Sequence, residues 1–226
     1  MTRATNARIA GFTYLVYIAV AFPAMVLFGK ATTGQGISAK LASIAEHATD
    51  VRISIVLGVL SCFCALVLAV TLYAITRDVD SDLARLAMMC RVGEGVIGAL
   101  TIFADLGLLW LATAVTGANA PDPAAGPVLG MFLLKLDGWG TSVAAIFFTL
   151  GSTLFSYLLL RGRLVPAPLA WLGVVVSAFD LAILPAQLAG LLRGPPPELM
   201  WIPFLVFEVG LALWLIIKGV AAPATR

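Results

Sequence analysis

The sequence predicts an all-α membrane protein, a polytopic bundle of six transmembrane helices with one short amphipathic helix at the membrane interface. The first observation is composition, because 61% of the 226 residues are hydrophobic and the mean hydropathy is +1.04. The second is arrangement, since a helix needs about 20 mostly apolar residues to cross a bilayer and the sequence contains six such segments. We therefore expect one integral membrane domain over residues 1–226, with the lipid bilayer as its partner.

The six predicted spans follow one another along the chain. They cover residues 9–28, 53–75, 86–115, 128–160, 164–192 and 199–220. The first is interpreted as a retained helix and not a signal peptide, because its apolar run is long and no small-residue cleavage pattern follows it. Gly138 and Gly140 are expected to bend or break the fourth span where it lines a cavity.

The longest loop, residues 30–52, contains the predicted interfacial helix. Leu41, Ile44, Ala45 and Ala48 recur on one side of it at helical spacing. Such a pattern is typical of an amphipathic helix that lies in the plane of the membrane surface. His47, the single histidine of the chain, belongs to this segment and is interpreted as a solvated residue.

The distribution of basic residues predicts the orientation of the chain, because Lys and Arg near span ends are enriched on the cytoplasmic side. With the N-terminus inside, eight basic residues fall on the cytoplasmic side and four on the outer side. The cytoplasmic residues are Arg3, Arg8, Arg77, Arg85, Arg161, Arg163, Lys218 and Arg226, and the outer ones are Lys30, Lys40, Arg52 and Arg193. Both termini are therefore predicted to be cytoplasmic.

Several function classes are disfavoured by composition. A net charge of +2 without a basic stripe does not indicate nucleic-acid binding. Cys62, Cys64 and Cys90 lie in apolar stretches and are interpreted as small buried thiols. One histidine is too few for a multi-histidine zinc site or bis-histidine haem, so neither a metal nor a cofactor is expected.

The segment between the second and third spans resembles the start of a calcium-binding loop, because Asp78, Asp80 and Asp82 alternate in it. The resemblance fails at the sixth and twelfth positions, which need Gly and Glu and here are Leu83 and Met89. An aspartate or Ser81 that caps the next helix is the better interpretation.

Seven charged residues lie within predicted spans and away from their ends, where each costs at least a few kcal/mol and is usually paired. Arg91 and Glu94 are three apart and share a helix face, and Asp105 returns to nearly the same face three turns later. We expect Arg91 to pair with Glu94 and to reach toward Glu208. The seven residues are Arg91, Glu94, Asp105, Lys135, Asp137, Asp180 and Glu208.

These seven residues predict a polar pocket. In the predicted orientation they converge toward the outer half of the membrane, with the pair of Arg91 and Glu94 as the floor. Five are acids and two are bases, and a desolvated carboxylate without a cationic partner favours binding a proton or a cation. The pocket is therefore a candidate site for binding or moving a small cation, a proton or a small molecule.

Two other interpretations stay open beside the ligand site. Buried ion pairs and polar hydrogen bonds also fix helix packing, which would make the network purely structural. Paired carboxylates also suit acid–base chemistry, which would make the protein an intramembrane enzyme.

Several stretches, in order, resemble the bacterial membrane family called domain of unknown function 4386. That resemblance implies six or seven spans in the bacterial inner membrane and no established activity. Members of the family often carry a His-Gly-Tyr-Gly-like stretch in the fourth span, where this chain has Asp137-Gly-Trp-Gly140, so chemistry that needs that histidine is not expected. The stretches are Arg8-Ile-Ala-Gly-Phe-Thr-Tyr-Leu, Arg91-Val-Gly-Glu94, Arg161-Gly-Arg-Leu-Val-Pro166, Leu169-Ala-Trp-Leu-Gly, and Phe207-Glu208 with Ala212-Leu-Trp-Leu-Ile-Ile-Lys-Gly-Val220.

Overall fold

The computed structural model describes residues 1–114, 125–192 and 201–221. Within these ranges the chain forms seven α-helices and no strand, which confirms the predicted all-α class. The helices are α1 (Arg3–Ala31), α2 (Ile37–Glu46), α3 (Ala48–Thr76), α4 (Ser81–Thr113), α5 (Ala125–Arg161), α6 (Ala167–Leu188) and α7 (Trp201–Ile217).

Five helices, α1 and α3 to α6, are long and apolar enough to cross a membrane. The seventh helix, α7, is apolar but has only 17 residues, which lies at the lower limit of about 17–25 residues for a span. The predicted sixth span begins at residue 199, outside the described residues. The count of six spans therefore stays a prediction.

Helix α5 is continuous over 37 residues, from Ala125 to Arg161. A break at Gly138 and Gly140, one of the two expected outcomes, is therefore wrong, and a bend there stays a prediction. A glycine in a helix interior costs only about 1 kcal/mol relative to alanine. Two glycines are too weak a signal to interrupt a helix whose other residues favour its continuation.

The described residues group into two compact units. Unit 1 comprises Met1–Tyr17, Phe63–Gly95 and Ser142–Arg226, and unit 2 comprises Ile18–Cys62 and Val96–Thr141. Each unit takes segments from several parts of the chain, so neither is a contiguous domain. The single domain predicted from the sequence stays a prediction.

The core of unit 1 is a cluster of leucine, phenylalanine and alanine side chains from α1, α3, α4, α5, α6 and α7. Helices α1 and α7 approach each other closely within this core. A Cβ atom added to Gly11 of α1 would lie only 2.6 Å from the Ala212 carbonyl oxygen of α7. Helices α6 and α7 also pack against each other. A Cβ atom at Gly173 of α6 would collide with the Phe207 ring and the Ser156 hydroxyl.

The start of α4 belongs to unit 1 and explains the aspartate-rich segment before it. Asp80 precedes the helix, and its Oδ1 accepts a hydrogen bond of 3.1 Å from the Leu83 backbone N–H. Its Oδ2 forms an ion pair of 2.8 Å with Nη1 of Arg161 at the end of α5. The hydrogen bond from Leu83 and the Arg161 guanidinium lower the pKa of Asp80 below its ordinary value. Asp80 thus caps the helix of the third span, where the sequence predicts Ser81 or an aspartate as the cap.

Unit 2 contains the predicted amphipathic helix, which forms as α2. Its Ile44 is fully buried among Ala31, Val51 and Leu108, whereas Ala45 is exposed. Part of the apolar side of α2 therefore packs on the protein itself. Its position at the membrane interface stays a prediction.

Candidate functional site

The centre of the candidate site is the ion pair between Arg91 and Glu94 in α4. Their side chains are 0% and 7% exposed, and Arg91 Nη1 lies 2.9 Å from Glu94 Oε2. The spacing of three residues places both on one face of the helix. The predicted pair is therefore present, and both of its charges lie inside unit 1.

Aromatic rings enclose the Arg91 guanidinium. Its Cζ lies 4.8 Å from the centre of the Phe148 ring and 5.7 Å from that of Tyr17. A cation near a ring face is stabilised by the ring's quadrupole, more so where water is excluded. The methylene stem packs on Gly151, where an added Cβ atom would lie 3.1 Å from Arg91 Cγ. Ring faces on α1 and α5, with a glycine on α5, thus create space for a fully buried arginine.

The hydrogen-bonding capacity of this guanidinium is unused within the described part of the chain. Although Arg91 Nη1 is close to Glu94, none of its three nitrogens has an acceptor in hydrogen-bond geometry. Hydrogen bonds weaken steeply when the N–H does not point at the acceptor. A guanidinium has five N–H donors, so the pair with Glu94 is held by charge and not by directed hydrogen bonds.

Glu94 has a second partner on another helix. The Tyr17 hydroxyl of α1 donates a hydrogen bond of 2.8 Å to Glu94 Oε1. Tyr14, one turn earlier on α1, is only 3% exposed and interacts electrostatically with Arg91, Glu94 and Glu208. Tyr14 and Tyr17 are absent from the seven residues predicted from charge, although the sequence places both tyrosines on the first predicted span with a spacing that favours one face of it toward the bundle.

Glu208 of α7 is the second carboxylate of the site. Its side chain is buried, and Oε1 has no hydrogen-bond partner among the described residues. It interacts electrostatically with Arg91 and Glu94. The Phe148 and Phe204 rings, with centroids 4.7 Å apart, hold α7 against α5 nearby. We call Arg91, Glu94, Glu208, Tyr14 and Tyr17 the Arg91 cluster.

Asp180 of α6 is also in unit 1. Its side chain is buried, and Oδ2 has no hydrogen-bond partner within the described residues. The neighbouring Ser177 hydroxyl, one turn earlier, bonds to its own helix at the Gly173 carbonyl, 2.5 Å away. Asp180 is therefore a buried acid without an ion-pair partner in the described part of the chain.

The other three predicted residues lie in unit 2. Asp105 of α4 interacts electrostatically with Asp137 of α5, and the Thr141 hydroxyl donates a hydrogen bond to Asp137. Lys135 is exposed and lines a shallow groove of about 420 Å³ together with Trp139.

The structure thus divides the seven predicted residues between two groups. It brings Arg91, Glu94 and Glu208 together in unit 1 and Asp105 near Asp137 in unit 2. A single pocket lined by all seven stays a prediction. In the part of the chain that is described, no three His, Cys, Asp or Glu side chains meet in a metal-binding arrangement.

Comparison with known proteins gives one family and no individual relative. The family model for a domain of unknown function, DUF4386, matches residues 9–219. No curated protein and no solved structure matches the chain. The match covers nearly the whole sequence, including every member of the Arg91 cluster.

Proposed function

Because the chain belongs to the DUF4386 family, whose description names no activity, we propose its function from the geometry of the Arg91 cluster. We propose a multi-pass membrane protein that binds a proton at this cluster and, coupled to it, a small ligand. We place it in the bacterial inner membrane with both termini in the cytoplasm. The seven predicted residues, in the two groups described above, remain our proposed ligand-binding residues.

One observation carries the proposal, which is that one buried guanidinium faces two buried carboxylates. Arg91 is paired with Glu94, and Glu208 Oε1 is left without a hydrogen-bond partner in the described residues. With both carboxylates ionised, the cluster would hold one net negative charge. An uncompensated buried charge costs several kcal/mol, and the usual remedy is to neutralise the group.

The available oxygen atoms favour a proton over a metal cation. Calcium takes about 6–8 oxygen ligands, whereas both carboxylate oxygens of Glu94 already face Tyr17 and Arg91. Glu208 is the acid that remains for an additional positive charge. A single proton needs only that one carboxylate.

A second pair of acids supports the same function in unit 2. Asp105 and Asp137 interact electrostatically, and Asp105 Oδ1 is buried without a partner among the described residues. Like charges in a shared site disfavour the doubly ionised state. We propose that this pair also shares a proton.

The test is the pH dependence of stability in detergent. If the folded cluster holds a proton that the unfolded chain releases, wild-type thermal stability rises as the pH falls from about 8 to 6. Glu208→Gln is neutral at every pH, so its profile is flatter across that window. Glu46→Gln makes the same chemical change at an exposed position and retains the wild-type profile. Parallel profiles for wild type and Glu208→Gln would reject the proposal.

A structural role is the second candidate, favoured by the hydrogen bond that joins Tyr17 of α1 to Glu94 of α4. In that case Tyr17→Phe and Glu208→Gln both lower the melting temperature by amounts that do not depend on pH. Ligand panels would then shift wild type and variants equally. The enzyme interpretation has no comparable observation among the described residues.

A further inference from the structure

We propose that the ligand of the Arg91 cluster is a small organic carboxylate. It replaces Glu94 on the Arg91 guanidinium, while Glu94 takes up one proton from solvent. This inference rests on the proposed proton-binding function and extends it to the class of ligand and the mechanism of coupling.

The Arg91 guanidinium provides the binding groups. It is completely buried, and its three nitrogens have no acceptor in hydrogen-bond geometry within the described residues. A planar guanidinium binds a carboxylate through two parallel N–H···O bonds, which are among the strongest in proteins. A carboxylate ligand would supply the directed acceptors that Glu94, one turn away on the same helix, does not.

The contacts of Glu94 allow a ligand to replace it on Arg91 while Glu94 keeps its other hydrogen bond. Its pairing with Arg91 lacks hydrogen-bond geometry, so the arriving ligand competes mainly with a charge interaction. The Tyr17 hydroxyl holds the other oxygen of Glu94. A protonated Glu94 keeps a carbonyl oxygen that can accept this bond. Its side chain therefore stays hydrogen-bonded to Tyr17 of α1 when it leaves Arg91.

Charge balance fixes the coupling at one proton for each carboxylate. Among the described residues, the titratable groups that interact electrostatically with Arg91 are Glu94 on α4, Tyr14 and Tyr17 on α1, and Glu208 on α7. With Glu208 already neutralised in the proposed function, Arg91 and Glu94 together have no net charge. A bound monoanion restores that balance only if Glu94 gains a proton.

The surroundings select the chemical class. A dianion such as sulfate would leave a net negative charge in a site with a fully buried centre, which is costly. The Phe148 and Tyr17 rings beside the guanidinium offer apolar surface to an organic tail. Such a carboxylate could come from water as a short acid or from the bilayer as a fatty acid, and the chemistry at Arg91 is the same.

The experiment measures ligand affinity and proton uptake together on the purified full-length protein in detergent. Benzoate and acetate represent soluble acids, palmitate represents a fatty acid, and benzamide and sulfate are the controls. We expect either the soluble acids or palmitate to raise the melting temperature more at about pH 6 than at pH 8, with one proton taken up for each molecule bound. Stabilisation by sulfate or benzamide alone would overturn the carboxylate assignment.

Two variants test the role of Arg91. Arg91→Lys keeps the charge but loses the planar fork, so carboxylate affinity falls at least tenfold, while the matched Arg161→Lys at a partly exposed position binds as wild type. If Arg91→Lys does not fold, the variant Tyr17→Phe tests the proposed exchange instead. It removes the bond that favours ionised Glu94, so carboxylate binding becomes tighter and persists to higher pH. Unchanged or weaker binding by Tyr17→Phe would contradict the exchange.

The outcomes separate this inference from the proposed function. A pH profile that depends on Glu208, without carboxylate binding, retains the proposed function and rejects the inference. Carboxylate binding without proton uptake also rejects the exchange. A pH profile that does not depend on Glu208 rejects the proposed function, whether or not the tested carboxylates bind.

Discussion

At the scale of residues, the chemistry of unit 1 depends on how one arginine is balanced. Arg91 has no contact with solvent, so its charge must be compensated by protein groups or by a ligand. Glu94 supplies that compensation at 2.9 Å, and Tyr17 fixes the far side of Glu94. Removing either residue of the ion pair destabilises the fold, because the charge of the other residue then remains buried without its ion-pair partner.

The first prediction concerns this pair. Arg91→Leu or Glu94→Leu alone lowers the free energy of unfolding by roughly 3–5 kcal/mol, because each leaves a buried charge without its ion-pair partner. The double variant loses less than the sum of the two, because no lone charge remains. Chemical denaturation in detergent micelles measures the cycle. Additive losses would show that the two side chains are not coupled.

The second prediction concerns Asp80, whose pKa is lowered by the Leu83 N–H and by Arg161. The folded state then binds fewer protons here than the unfolded state, so stability rises with pH through this window. The stabilisation is complete above the unfolded pKa of about 3.9 and is lost as the pH falls through the lower folded-state pKa.

Thermal melts of wild type and Asp80→Asn from about pH 6 to pH 3 check this. The difference in stability is largest near pH 6 and shrinks as the pH falls toward the lowered folded-state pKa of Asp80. Asp78→Asn, in the same segment, is the control and shows a smaller difference at pH 6. A constant gap between wild type and Asp80→Asn at every pH would mean that ionisation of Asp80 is unimportant.

Sequence spacing was sufficient for the contacts within one helix and insufficient for those between helices. The pair of Arg91 and Glu94 follows from their separation of three residues, and the cap at Asp80 follows from residue type. Phe148 and Tyr17 lie 57 and 74 positions from Arg91 in the sequence. Their approach depends on how α1, α4 and α5 pack in unit 1, which periodicity does not encode.

At the scale of elements, close helix contact in unit 1 depends on small residues. Gly11 of α1 faces the backbone of α7 with no room for a side chain. Tyr14 lies one turn further along α1 and interacts electrostatically with Glu208 of α7. The glycine therefore supports the site as well as the packing.

The third prediction tests this contact. Gly11→Ala places a Cβ atom 2.6 Å from the Ala212 carbonyl oxygen and 2.7 Å from the Ile216 side chain, so one helix must shift, at a cost of about 1–3 kcal/mol. Gly29→Ala on the same helix has no neighbour within 4 Å and gains up to about 1 kcal/mol in helix propensity. Melting temperatures give the comparison. A Gly11→Ala variant as stable as Gly29→Ala would contradict the close approach.

Helices were predictable where hydrophobicity alone defines them, and their ends and breaks were not. The second predicted span, residues 53–75, lies within α3 (Ala48–Thr76), and α2 forms within the loop where spacing placed it. The break expected at Gly138 and Gly140 did not occur, because a local preference of about 1 kcal/mol is easily outweighed by packing along the rest of α5.

At the scale of the whole molecule, composition predicted the class and left the number of spans open. Five described helices are long enough to cross a bilayer, and α7 is at the lower limit. The family match over residues 9–219 bears out the resemblance seen in separate short stretches. The division of the charged residues between two units could not be foreseen from their depth along individual spans.

The fourth prediction concerns topology, motivated by the eight-to-four distribution of basic residues. In a background with Cys62, Cys64 and Cys90 replaced by alanine, Gln35→Cys reacts with a membrane-impermeant maleimide on intact cells. Asp82→Cys reacts only after the membrane is permeabilised. Labelling of Asp82→Cys from outside would reverse the proposed orientation.

The central claim is that Glu208 holds a proton in the folded protein, and infrared spectroscopy tests it most directly. A protonated carboxyl group has a C=O stretching band that a carboxylate lacks. We predict that wild type near neutral pH shows such a band from Glu208, that Glu208→Gln lacks this component, and that Glu46→Gln retains it. Identical carboxyl bands in wild type and Glu208→Gln would show that Glu208 is ionised and would contradict the claim.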